Sequence, residues 1–367
     1  RGDISARVVA LPDADQIPED IAGLRAGTRA SRPFAQHLAA RGAQVLVPVL
    51  LSRERTFSRS NNVAPWNPYR GDAGPDTLIT NQTHREWIYR QAYVHGRHVI
   101  GLELQKIFSG IDWFVNQSTR DNPAIGVAGY GEGGLLALYA GALDRRIDAT
   151  LVSGYFGPRE DLWSEPVYRN VWGLLKRYGD AEIASLVAPR SLVIEYSQGP
   201  EVDGPPPAPE GVRPAAIAGS LSTPPFEDVR AEVNQLRGFF EEGSLSPTIE
   251  FTHGSSDNRT VPAGSEDALA AFSEQLGVSS LEISLEPLSD MRAQFDPGAR
   301  QGEQVRQLTD FLHDLLDTQD RVRYEYMKGD WSGPKAWHKS MDPYREYLRE
   351  EIIGRVDQEL LPPNPRL

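Results

Sequence analysis

Residues 124–139, Ala124-Ile125-Gly126-Val127-Ala128-Gly129-Tyr130-Gly131-Glu132-Gly133-Gly134-Leu135-Leu136-Ala137-Leu138-Tyr139, decide the fold. Ala124 to Ala128 is an apolar run of strand length. Glycines at 129, 131, 133 and 134 then crowd a sharp turn, where the absence of Cβ permits unusual φ and close backbone approach. Leu135 to Tyr139 continues as a helix. A strand, a tight turn and a helix follow one another within sixteen residues. Gly131 stands at the apex of Gly129-Tyr130-Gly131-Glu132-Gly133, and it has no side chain with which to attack a substrate.

Outward from this stretch, strands alternate with helices. Arg7 to Leu11 reads as a buried strand that ends at Pro12-Asp13. Pro33 to Arg41 carries Phe34, His37 and Leu38 at helical spacing, and Gly42 ends it. Gln44 to Leu51 is a second strand, with Pro48 marking an end or bulge. Thr56 to Thr83 is polar and rich in Asn, Pro and Gly, a long loop of functional or lid type. Trp87 to Trp113 reads as one long helical stretch, with Ile100, Leu104, Ile107 and Ile111 on a buried face. Later strands fall at Ile147–Ser153, Ser191–Tyr196 and Thr248–Thr252, with helical segments at 159–187, 226–241 and 264–276. Residues 199–225 are rich in Pro and Gly and read as an exposed irregular loop. This alternation predicts a doubly wound, mostly parallel sheet with helices on both faces, and functional loops along the C-terminal strand ends.

The chain has 367 residues, 40% of them hydrophobic and 24% charged, which is the composition of a globular protein with a large core. Its net charge of −13 argues against nucleic acid or anionic membrane as a partner. There is no cysteine, so disulfides, thiolate metal sites and cysteine nucleophiles are excluded together. No apolar run is long enough to span a bilayer as a helix. The compartment stays open, with an extracellular or periplasmic location favoured.

Three readings compete for the glycine turn. It is a catalytic turn that has lost its nucleophile, a dinucleotide loop, or a purely structural close approach. Gly129-x-Gly131-x-x-Gly134 satisfies the dinucleotide spacing, but the following strand ends in Ser153-Gly154 without the carboxylate that would hold a ribose. His84, His95 and His98 are assigned to capping and packing. No metal and no cofactor is expected. Trp66, Trp87, Trp113, Trp163 and Trp172 could stack on sugars, although tryptophan is more often simply half-buried.

Residues 124–134, the preceding helix end Asp112-Trp113-Phe114, and Val152-Ser153-Gly154-Tyr155-Phe156 together resemble the α/β-hydrolase superfamily, in its dienelactone hydrolase and acetyl xylan esterase-like branch. The resemblance implies that Gly131 occupies the position of the nucleophile serine at the elbow. The chain order of such triads then points to Glu201 or Asp203 as the acid and to His253 as the base. It also implies an oxyanion donor in the loop after the first strand. Here that loop reads Pro12-Asp13-Ala14-Asp15, where proline lacks an N–H and the two acids would repel a developing oxyanion. Glu132 or Ser153 could substitute as nucleophile, but Glu132 lies one position past the apex and Ser153 sits in a non-catalytic stretch of the family.

The expected organisation is an α/β-hydrolase-like domain over 1–290 and a helical extension over 291–367. In the extension, Val305, Leu308, Leu312, Leu315 and Leu316 mark an amphipathic helix. Residues 343–366 resemble the segment that precedes the first strand in esterases of this branch, so a further domain is expected beyond. The expected function is a degenerate esterase-like domain that binds or scaffolds. The alternative is an active carboxylesterase or acetyl esterase acting on carbohydrate esters through a displaced nucleophile. Expected partners are a second hydrolase domain or further copies of the chain, with a carbohydrate or ester as ligand.

Overall fold

The computed structural model describes residues 6–25, 31–58, 80–118, 123–212, 214–256, 260–278, 285 and 288–355. Most of the expected 56–83 loop, Trp66 and the end of the tail lie outside these residues.

Among the described residues eight strands occur in chain order: β1 (Ala6–Leu11), β2 (Ala43–Leu46), β3 (Ala124–Tyr130), β4 (Ala149–Ser153), β5 (Ser191–Glu195), β6 (Val202–Asp203), β7 (Ser220–Leu221) and β8 (Ile249–Thr252). Six form one sheet in the order β2-β1-β3-β4-β5-β8, with every pair parallel. The central strands are buried along almost their whole length because helices cover both faces. Val8 lies opposite Gly126, and Tyr130 opposite Ser153. The chain winds outward from β1 to β2, then returns to lay β3 on the other side of β1. The C-terminal ends of β1 and β3 therefore meet at a topological switch point, where open α/β sheets bind ligands.

The helices on the sheet-bearing unit are α1 (Pro18–Ile21), α2 (Phe34–Ala40), α3 (His84–Tyr93), α4 (Val99–Gln117), α5 (Glu132–Leu143), α6 (Asp180–Ser185), α7 (Phe226–Gly238) and α8 (Glu266–Gln275). On one face Phe34 and Leu38 of α2 join Leu269 and Phe272 of α8 in the core. A Cβ at Gly126 would fall 2.6 Å from the Phe272 ring, so the strand takes glycine where α8 presses on it. This is a doubly wound α/β architecture.

Three expectations change. The helical stretch from Trp87 to Trp113 is two helices, broken where Gly96 takes φ 64° and His98 caps α4 by accepting the Ile100 amide at 3.1 Å. The 159–187 stretch holds three short 3₁₀ turns before α6, rather than one helix. The 199–225 stretch contains the antiparallel β6–β7 ribbon, with Leu221 buried.

The chain divides into two compact units, Arg1–Asp310 and Phe311–Leu367. Residues after 290 remain tied to the first unit. Arg292 and Arg300 both pair with Glu19, at 2.8 and 2.9 Å, and the Lys106 ammonium donates to Gln304 at 2.9 Å and to the Val49 carbonyl at 3.0 Å. The boundary helix is α9 (Pro297–Tyr326). The second unit adds α10 (Pro334–Ser340), α11 (Asp342–Tyr347) and a π-helical turn over Leu348–Gly354. Within it the Trp331 and Trp337 rings lie 4.5 Å apart, and the Tyr344 hydroxyl donates to the Tyr326 carbonyl at 2.9 Å.

Candidate active site

The turn between β3 and α5 is an elbow with Gly131 at φ 58°, ψ −118°, a conformation that L side chains rarely adopt. The Gly131 amide donates to Ser153 of β4 at 3.0 Å, and its carbonyl accepts the Leu135 amide at 3.1 Å. Gly133 and Gly134 let α5 pack onto backbone: added Cβ atoms would lie 2.7 Å from the Leu11 carbonyl carbon and 2.7 Å from the Ser153 oxygen.

The apex itself is filled from the facing loop. A Cβ at Gly131 would collide with the Asp13 carboxylate, 2.9 Å from its Cγ and 3.1 Å from its Cβ, with Oδ1 nearer still. Asp13 Oδ1 accepts the Glu132 amide at 2.9 Å, and Oδ2 accepts the Asp15 amide at 3.0 Å. The Arg53 guanidinium closes on the same carboxylate, donating at 2.6 and 3.1 Å. Burial pushes the Asp13 carboxyl up, but Arg53 and the two amides outweigh it and hold it at about 2. The first helical amide after the elbow, the usual place of an oxyanion donor, thus already has an anionic acceptor.

Behind Asp13, Glu132 is fully buried and meets three arginines. Arg169 donates at 2.6 Å, Arg85 at 3.2 Å and Arg53 at 3.3 Å. Burial opposes its ionisation, yet Arg169, Arg85 and Arg53 together lower its pKa. Arg85, also fully buried, pairs with Glu103 of α4 at 2.9 Å and donates to the Leu51 carbonyl at 3.1 Å. Arg53 adds the half-exposed Asp15 at 2.8 Å and the Tyr168 hydroxyl at 2.9 Å. Such a cluster is costly to desolvate, and removing one member leaves an uncompensated charge worth roughly 3–5 kcal/mol. Arg169 continues the network through Glu165 to Arg159, which pairs with buried Asp180 at 3.1 Å.

The other expected site residues are placed separately. Glu201 is exposed and accepts from Gln198 at 3.3 Å, and Asp203 is exposed on β6. Both line a cleft of about 250 Å³ that Asp15, Arg53 and Tyr168 also line. His253 is half-buried after β8. Its Nδ1 lies 2.8 Å from the Gly254 carbonyl, and its ring packs on Phe226 and Phe251 at 5.0 and 5.5 Å. Among the described residues no hydrogen bond or ion pair joins His253 to Glu201 or Asp203. Ser153 is buried and donates to Glu195, with Ser197 Oγ 2.7 Å away. Glu195 in turn accepts the Gly264 and Ser265 amides ahead of α8, and burial raises its pKa.

His84 is buried, bonded to Ser52 Oγ and the Phe57 amide at 2.8 Å each, and burial pushes its pKa down to about 4. Trp163 and Trp172 are largely exposed. Arg53, Arg169 and Glu103 were not among the expected site residues. Only Glu103 carries a sequence signal, as a charge within the apolar stripe of Ile100, Leu104 and Ile107.

No protein-family model matches the chain, and no curated protein matches it in sequence. Solved structures with a similar chain course include a Bacteroides fragilis protein assigned as an acetyl xylan esterase (10% identity, 76% of this chain and 68% of that one, TM-score 0.44). A glucuronoyl esterase from Solibacter usitatus gives 12%, 74% and 74%, and 0.38. A family 15 carbohydrate esterase, a glucuronoyl esterase from Caldicellulosiruptor kristjansonii, gives 14%, 80% and 72%, and 0.38. At these values the likeness carries nothing about activity or substrate.

Proposed function

We propose that the chain is an esterase-like hydrolase domain without a nucleophile, serving as a binding or scaffolding module beside a catalytic domain or partner. One observation carries the reading: the Asp13 carboxylate occupies the space that a side chain at Gly131 would need and takes the Glu132 amide. Acyl transfer requires a nucleophile at the apex and a free donor for the oxyanion. Here the first is glycine and the second is satisfied. The substitute nucleophiles gain no support from their surroundings. Glu132 is enclosed by three arginines, and Ser153 is buried against Glu195 and Ser197. In this reading Gly131 holds the vacant nucleophile position, and Glu201, Asp203 and His253 are remnants of its acid and base.

Release of p-nitrophenol from p-nitrophenyl acetate tests it. The chain and its Gly131→Ser variant are expected to match buffer alone, because Asp13 still fills the apex in the variant. Turnover by the unaltered chain that disappears in Ser153→Ala or Glu132→Gln would overturn the reading.

A further inference from the structure

Asp13 makes contacts of the kind that a bound anion would make. Its two oxygens take two backbone amides, one at the start of the twelve-residue α5, and a guanidinium that donates twice. The carboxylate is fully buried, whereas its neighbour Asp15 stays half exposed at the cleft mouth. Two of the three donors of this cradle are held without the Asp13 side chain. The Glu132 amide is fixed by the elbow, and Arg53 is held independently by the Tyr168 hydroxyl, Asp15 and Glu132.

We propose that this cradle is a carboxylate-binding site and that Asp13 is its tethered, autoinhibitory ligand. The ligand class follows from the donors: a planar guanidinium fork and two convergent N–H groups match a small carboxylate. A carboxylate on the same chain acts at high effective concentration, so free anions do not displace it. Removing it opens the site to formate or acetate. The inference rests on the reading of the elbow as a site without a nucleophile.

The test is thermal unfolding of the full chain and of Asp13→Ala across formate and acetate titrations, with sodium chloride at matched ionic strength. Asp13→Ala is expected to lose stability and then to regain roughly 5 °C in formate, saturating in the millimolar range, as binding to the folded state alone requires. Chloride gives no saturating response, and neither carboxylate moves the unaltered chain. Asp13→Asn keeps the volume filled and shows no rescue. Should Asp13→Ala not fold, Asp13→Ser takes its place under the same criterion. Equal responses to formate and chloride, or rescue of Asp13→Asn to the same extent, would overturn the proposal while leaving the esterase result untouched. Ester turnover by the unaltered chain would instead remove the reading beneath it.

Discussion

At the scale of single residues, Gly131 and Asp13 depend on each other. The positive φ at the apex alone penalises a side chain, by the order of 1–2 kcal/mol. The Asp13 carboxylate adds a steric and electrostatic penalty to any Cβ placed there. Gly131→Ser is therefore expected to lower unfolding free energy by about 2 kcal/mol or more, measured by urea titration. Asp13→Ala in the Gly131→Ser background should cost less than in the parent, because the clash has gone. A double-mutant cycle with coupling near zero would show the two residues to be independent. The sequence places Asp13 beside the apex through its position after the first strand. It reads there as a repeller of anions. The structure makes it the anion, because Arg53 and two amides supply the charge balance that adjacent residues do not reveal.

Elements show which parts of the site were legible. The elbow could be read because strand, turn and helix are consecutive and the glycines crowd one place. The arginines could not. Arg53 follows β2, Arg85 lies in α3 and Arg169 in a 3₁₀ turn, and no spacing relates three separate segments that the sheet order brings together. The break between α3 and α4 was not legible because the apolar stripe of Ile100, Leu104, Ile107 and Ile111 lies wholly within α4 and marks no boundary with the segment before it. At the start of α6, Asp180 accepts the Gly157 amide and pairs with Arg159. Burial lifts its carboxyl from 3.8 to about 6 against the pull of Arg159. The fold thus holds a proton there that the unfolded chain has already released. Its stabilising share is full below about pH 4 and is lost as pH rises through about 6. Asp180→Asn should flatten the stability profile over that window. An unchanged slope in urea titrations between pH 4 and 6.5 would exclude Asp180 as its source.

For the whole molecule, the ties of Glu19 to Arg292 and Arg300, and of Lys106 to Gln304, place residues 291–310 with the sheet-bearing unit. A chain ended after Asp310 is expected to keep one cooperative unfolding transition. A chain ended after Asp290 loses both ties and uncovers the surface beneath them, and its midpoint should fall by several degrees. Equal midpoints for the two truncations would place the boundary earlier. The fold class was readable from the alternation of strands and helices. This boundary was not, because ion pairs between residues nearly three hundred positions apart leave no local trace.

The filled elbow also constrains which neighbouring sequences the chain can reach. A serine at position 131 meets an occupied space unless residue 13 has changed first. A change at residue 13 alone leaves the Glu132 amide without its acceptor and takes from Arg53 one of its three carboxylate partners. Each single step is penalised and only the pair is compatible, so a route to a side chain at the apex runs through a fitness valley rather than along a slope.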